Sequence, residues 1–88
     1  MHERALMTDL MREIEAVARA DGATCVTRVS VRLGALSHFT PDHFEEHFED
    51  AARGTVAEGA EVQAELSSDV TDPGAQGVRL ETVEFEFE

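Results

Sequence analysis

The sequence predicts an α/β chain, more narrowly α+β: two helices packed on a small three-stranded mixed β-sheet, in the order α-β-α-β-β. Three observations predict it. The first twenty residues carry an apolar stripe at helical spacing. Two stretches that alternate apolar and polar residues, 24–33 and 61–66, flank a strong helix start at Thr40-Pro41-Asp42. A last apolar run, 78–87, follows a segment of turn chemistry. The strand–helix–strand unit implies a parallel pair crossed right-handedly. The third strand is then expected to return antiparallel across a hairpin, and two helices on one sheet bury this pattern economically.

Each element has its own grounds. In residues 3–20, Leu6, Met7, Leu10, Met11, Ile14, Val17 and Ala18 share a face, opposite Asp9, Arg12, Glu13 and Arg19. Glu3 projects onto the apolar side, leaning towards the body of the domain. Asp21-Gly22 ends the helix, because glycine takes the left-handed conformation that closes helices. In the first strand Val29, Val31 and Leu33 alternate with Arg28, Ser30 and Arg32, and Cys25 reads as a small, partly buried residue. Gly34 stops the strand. Threonine then caps the second helix and proline fills its first position, where no N–H is needed. Phe44, Phe48, Ala51 and Ala52 form its buried face, and Gly54 closes it. Val62, Ala64 and Leu66 point inward from the second strand. In the third, Val78 and Leu80 have one parity while Val83, Phe85 and Phe87 have the other, which requires a bulge near Thr82.

With 88 residues the chain is expected to be one domain, 1–88, with a modest two-layer core. A formal net charge of −12 argues against nucleic acid, whose phosphates demand a basic surface. The single cysteine, Cys25, forms no internal disulfide and no thiolate zinc site within one chain. Charges interrupt the apolar residues of the first twenty positions, so neither a signal peptide nor a membrane span is expected, and the reading is cytoplasmic. No nucleophile elbow, phosphate-cradling glycine loop or dinucleotide fingerprint occurs. The carboxylates lie on wet faces. A binding protein is expected, not an enzyme.

The residues that carry chemistry stand first in the chain. In Met1-His2-Glu3 the imidazole lies one peptide unit from the amino-terminal amine. The amine, the His2 backbone nitrogen and a ring nitrogen can close fused chelate rings around one ion. A near-planar nitrogen set of this kind suits Ni(II) or Cu(II) rather than tetrahedral Zn(II). A helix start tolerates it, since the first N–H groups of a helix have no intrahelical partner.

Met1-His2-Glu3 ahead of a helix, Val26-Thr27-Arg28-Val29, Gly34-Ala35-Leu36-Ser37, Pro41, Phe48, the 54–60 passage and the closing 77–86 segment share one order and register. In these the sequence resembles the HypA/HybF-type nickel metallochaperones of [NiFe]-hydrogenase maturation. The resemblance implies a HypA-like nickel-binding domain that holds Ni(II) transiently and delivers it. Its ligands would be His2 in chief, the Met1 amine and nearby backbone nitrogens, with Glu3 supporting them. It implies as partners a nickel-inserting GTPase and the hydrogenase large subunit. Family members generally carry a zinc module of two Cys-x-x-Cys pairs between the last two strands. Here a short turn at 67–76, without cysteine, stands in its place, so no zinc is expected. Ala35 and Glu46 also depart from the family, which usually has an acid and an aromatic there. An alternative reading keeps only the scaffold: a metal-independent acidic module for protein interaction.

Three further histidines are candidate accessory ligands. His43 and His47, four apart on a helix, present both rings on one face. His38 lies in the loop before that helix and approaches the amino terminus if the loop packs beside the first helix.

Overall fold

The structure is a computed structural model that describes residues 2–87; Met1, Glu88 and the side chains of His2 and Glu3 lie outside the described residues. Five elements follow in the expected order: α1 (His2–Ala20), β1 (Cys25–Leu33), α2 (Pro41–Ala52), β2 (Glu61–Leu66) and β3 (Val78–Glu86). The fold is α+β, with two helices on a three-stranded mixed sheet.

The α1 stripe buries Met7, Leu10, Met11, Ile14 and Ala18. Val17, expected on that face, is exposed, because it lies with half-buried Leu6 at one margin of the stripe. Gly22 adopts φ +70°, the Ala23 amide donates to the Ala18 carbonyl at 2.9 Å, and the Gly22 amide donates to that of Arg19 at 3.1 Å. These two bonds satisfy carbonyls that the helix end would otherwise leave unpaired.

The sheet order is β2-β1-β3, with β1 parallel to β2 and antiparallel to β3. The expected hairpin between the last two strands is therefore incorrect. Residues 67–77 instead carry the chain past the end of β1 from one sheet edge to the other. Burial explains the choice of centre. Val26, Val29, Val31 and Leu33 of β1 are almost wholly buried, whereas the inward residues of β2 and β3 are only half-buried.

The bulge expected near Thr82 is present. Ser30 pairs with Thr82 while Val31 pairs with Leu80, leaving Glu81 extra and reconciling the two parities of β3. A second irregularity sits at Thr27, where Val26 faces Phe85 and Arg28 faces Glu84. It allows Val26 and Val29 to enter the same core despite their odd spacing. Leu66 and Phe87, expected inward, are exposed instead. Leu66 ends an edge strand and Phe87 follows the last residue of β3, so both stand where the sheet runs out.

α1 packs on α2 and over β3, and α2 packs over β2, so both helices share one face. The opposite face is polar. There Arg28 reaches Glu61 at 3.2 Å and Glu84 at 3.6 Å, and Arg32 reaches Glu65 at 3.7 Å and Glu81 at 3.4 Å. Such exposed pairs add little stability. Their value lies in register, since each arginine of the central strand meets an acid on both neighbours.

Thr40 caps α2 as its sequence requires, its hydroxyl accepting from the His43 amide at 3.2 Å. Phe39 just before the cap packs edge-on against Phe44 at a centroid distance of 5.5 Å, a hydrophobic staple. Thr40→Ala is expected to lose about 1 kcal/mol. Urea unfolding checks it: the midpoint should fall while the slope stays constant.

The crossing segment is tied down. The Ser67 amide donates to the Leu33 carbonyl at 2.8 Å, Gly34 to Gly77 at 2.9 Å, and Leu36 to Ala75 at 2.7 Å. Ala75 is buried. Within the turn, Asp69 accepts from the Thr71 hydroxyl at 2.6 Å and the Thr71 amide at 3.0 Å. The hydroxyl bond above all, then the amide bond, holds the Asp69 carboxyl below its ordinary pKa.

Candidate metal centre

Topology decides which candidates share an end of the molecule. The chain reverses between α1 and β1 and again between β1 and α2, so the two helices run in the same sense. Two grooves between them agree: Ala18 and Arg19 share one with Gly54 and Thr55, while Arg4, Met7 and Thr8 share another with His47. The first turns of both helices therefore lie at the end of the sheet where β1 finishes. The 34–40 loop and the 67–77 crossing lie there too.

His2 and Glu3 open α1 as backbone, in its first turn. Their side chains and all of Met1 fall outside the described residues, so the amino-terminal chelate and the inward lean of Glu3 have no geometry here. What is visible is the seat behind them. Arg4 and Ala5 are exposed, and α1 first enters the core at Met7, with Leu6 half-buried beside it. Among the described side chains of α1, Arg4 and Ala5 therefore stand clear of the core and burial begins with Leu6 and Met7.

His43 and His47 are brought together. Their Nε2 atoms lie 2.8 Å apart, one ring donating and the other accepting, with ring centroids 4.4 Å apart. Phe39 packs against both, at centroid distances of 5.9 Å from His43 and 6.3 Å from His47. The sequence reading missed this role of Phe39. The signal was present, since an aromatic just before a capping threonine and another at the fourth helical position form a staple. That fixes the Phe39 ring beside the helix face carrying the histidines.

His38 does not join them. It is exposed and adopts φ +68°, a left-handed conformation that β-branched residues avoid. Among the described residues no three histidine, cysteine, aspartate or glutamate side chains converge as a metal cage. Cys25 opens β1, at the opposite end of that strand from the crossing. The crossing itself offers neither cysteine nor histidine, so the donor set of a thiolate zinc site is not in that segment.

Comparison with known proteins adds three findings. Residues 1–72 match the family model described as "Hydrogenase/urease nickel incorporation, metallochaperone, hypA". The hydrogenase maturation factor HypA of Chlorobium limicola is 37% identical over 80 residues, covering 91% of this chain and 69% of that protein. Its counterparts in Methanosarcina mazei and Aquifex aeolicus are 33% and 41% identical over 66 residues, each covering 75% of this chain and 48% and 57% of theirs. The chain thus spans about half to about two-thirds of the length of these relatives. The solution structure of the Ni metallochaperone HypA from Helicobacter pylori superposes with a TM-score of 0.77 over 98% of both chains at 18% identity, a likeness of fold.

Proposed function

The chain belongs to the HypA family, and from that membership we propose that it holds Ni(II) at its amino terminus and delivers it during [NiFe]-hydrogenase maturation. The observation that carries this reading is the family match over residues 1–72, a span that includes Met1-His2-Glu3. The Met1 amine, the His2 backbone nitrogen and the His2 ring supply the nitrogen donors, with Glu3 in support. Nickel is cargo here, not a resident cofactor, so the site must exchange as well as bind.

Two features support a chelate at this position. α1 begins at His2, so the backbone nitrogens it uses belong to the helix turn without intrahelical acceptors. The Ni(II) preference for square nitrogen sets suits a three-residue strip better than an enclosed cage. Delivery to a nickel-inserting GTPase and the hydrogenase large subunit, and residence in the cytoplasm, belong to the same proposal. No helix among the described residues is long and apolar enough to cross a membrane. The 67–76 turn stands, in this reading, where relatives carry a zinc module.

Calorimetric titration with Ni(II) tests the proposal. His2→Ala should weaken the tight site by about a hundredfold, the scale of losing one arm of a linked pair of ligands. Unchanged affinity would leave the scaffold as a metal-independent acidic interaction module.

A further inference from the structure

We propose that His43 and His47 form a second metal site, a bidentate seat on α2 for a late first-row divalent cation. It goes beyond the amino-terminal chelate and uses none of its atoms. Two imidazoles one helical turn apart are a recurrent way for a helix to grip such an ion. Metal–nitrogen bonds of about 2.0–2.1 Å put adjacent ligands of a square or octahedral ion about 2.9 Å apart, and those of a tetrahedral ion about 3.4 Å apart. The observed 2.8 Å between the Nε2 atoms matches the right-angled case. Imidazole nitrogen suits Ni(II) and Cu(II), which take such geometries.

The rings are also held in place. Phe39 packs on both, and its own position is set by the staple to Phe44. Both histidines then sit close to the geometry an ion requires, and on binding the ion replaces the hydrogen bond between them, the donor ring carrying its proton on Nδ1 instead of Nε2. His43 is exposed and His47 half-exposed, so an ion can reach them from solvent and water can fill the remaining positions. A chain of net charge −12 draws cations to its surface. The pair stands at the end of the molecule that carries the first turn of α1. An ion released from the amino terminus therefore finds a second nitrogen seat on the neighbouring helix.

The test uses the full chain carrying His2→Ala, which removes the ring of the amino-terminal chelate. Ni(II) titration of that chain should show a residual site of about one ion. Adding either His43→Gln or His47→Gln should weaken it by more than the roughly tenfold that loss of a ligand's outer-shell partner brings. Both positions face solvent, so the fold should survive these changes. Magnetic resonance of the histidine rings during the same Ni(II) titration gives a second readout. The side-chain nitrogen signals of His43 and His47 should move together at one metal ratio, with His38 unmoved. A residual site indifferent to both substitutions, absence of a residual site, or movement of one ring alone would overturn the proposal. The amino-terminal reading is tested by comparing His2→Ala with the native chain, and this one by comparing the double variants with His2→Ala, so the two readings fail separately.

Discussion

Two residues added ahead of Met1 are expected to weaken Ni(II) binding by about a hundredfold or more, with the native fold retained. The reasoning is geometric. A terminal amine, one intervening amide nitrogen and the His2 ring close two fused chelate rings around a square-preferring ion. With two more residues in front, the amine is three peptide units from the histidine, and it no longer shares a short chelate with the ring. The fold should not respond, because Arg4 and Ala5 are exposed and Met7 is the first buried side chain among those described in α1.

A single added residue gives the informative contrast. It places the histidine third, where an amine, two amides and the ring again form a continuous four-nitrogen strip. Tight binding should persist in that chain and fail in the longer one. Calorimetry with Ni(II) on the three lengths reads the result. Equal affinity across all three would locate the tight site elsewhere. A helix-end electrostatic effect would instead change smoothly with each added residue, so an abrupt loss at the second residue identifies the chelate.

Most of the local structure was legible because it rests on local rules. The stripe of α1, the Gly22 closure, the Thr40-Pro41 start and the bulge beside Thr82 each follow from side chains within one or two turns of the feature. Strand order was not legible in the same way. Parity tells which face a residue takes and is silent on which strand lies beside it. A subtler signal existed: Arg28 and Arg32 lie on one strand, while Glu61 and Glu65 lie on a second and Glu81 and Glu84 on a third. Two cations with acids available on both other strands favour a central position for β1. The break from Val26 to Val29 likewise marked the irregularity at Thr27. At the candidate site, the spacing of His43 and His47 announced a shared face. The approach of their nitrogens to 2.8 Å depends on Phe39, whose placement needs the fold.

Gly34→Ala is expected to be among the most destabilising single substitutions, by about 3 kcal/mol, the upper range for overpacking a tight site. Gly34 owes its identity to close approach and not to backbone freedom, since its φ is not positive. A methyl group there would be driven into the Ala75 carbonyl and towards the Gly74 carbonyl, both backbone atoms of the crossing segment. Those atoms cannot swing aside as a side chain would. Relief would require moving residues 74–77, which breaks the bonds from Gly34 to Gly77 and from Leu36 to Ala75. It would also uncover Ala75 and loosen the entry to β3. Gly22→Ala is the control: Gly22 has φ +70° but no atom within 4 Å of the added carbon, so only the left-handed strain of about 1–2 kcal/mol applies. Urea midpoints should rank wild type, then Gly22→Ala, then Gly34→Ala. Hydrogen exchange should show the Gly34, Leu36 and Ser67 amides losing protection first in the Gly34 variant. If Gly34→Ala proves milder than Gly22→Ala, the crossing does not clasp β1 in the manner described. The link between β2 and β3 would then be a loose connection, in place of a tied one whose ends are fixed on Leu33 and Gly34.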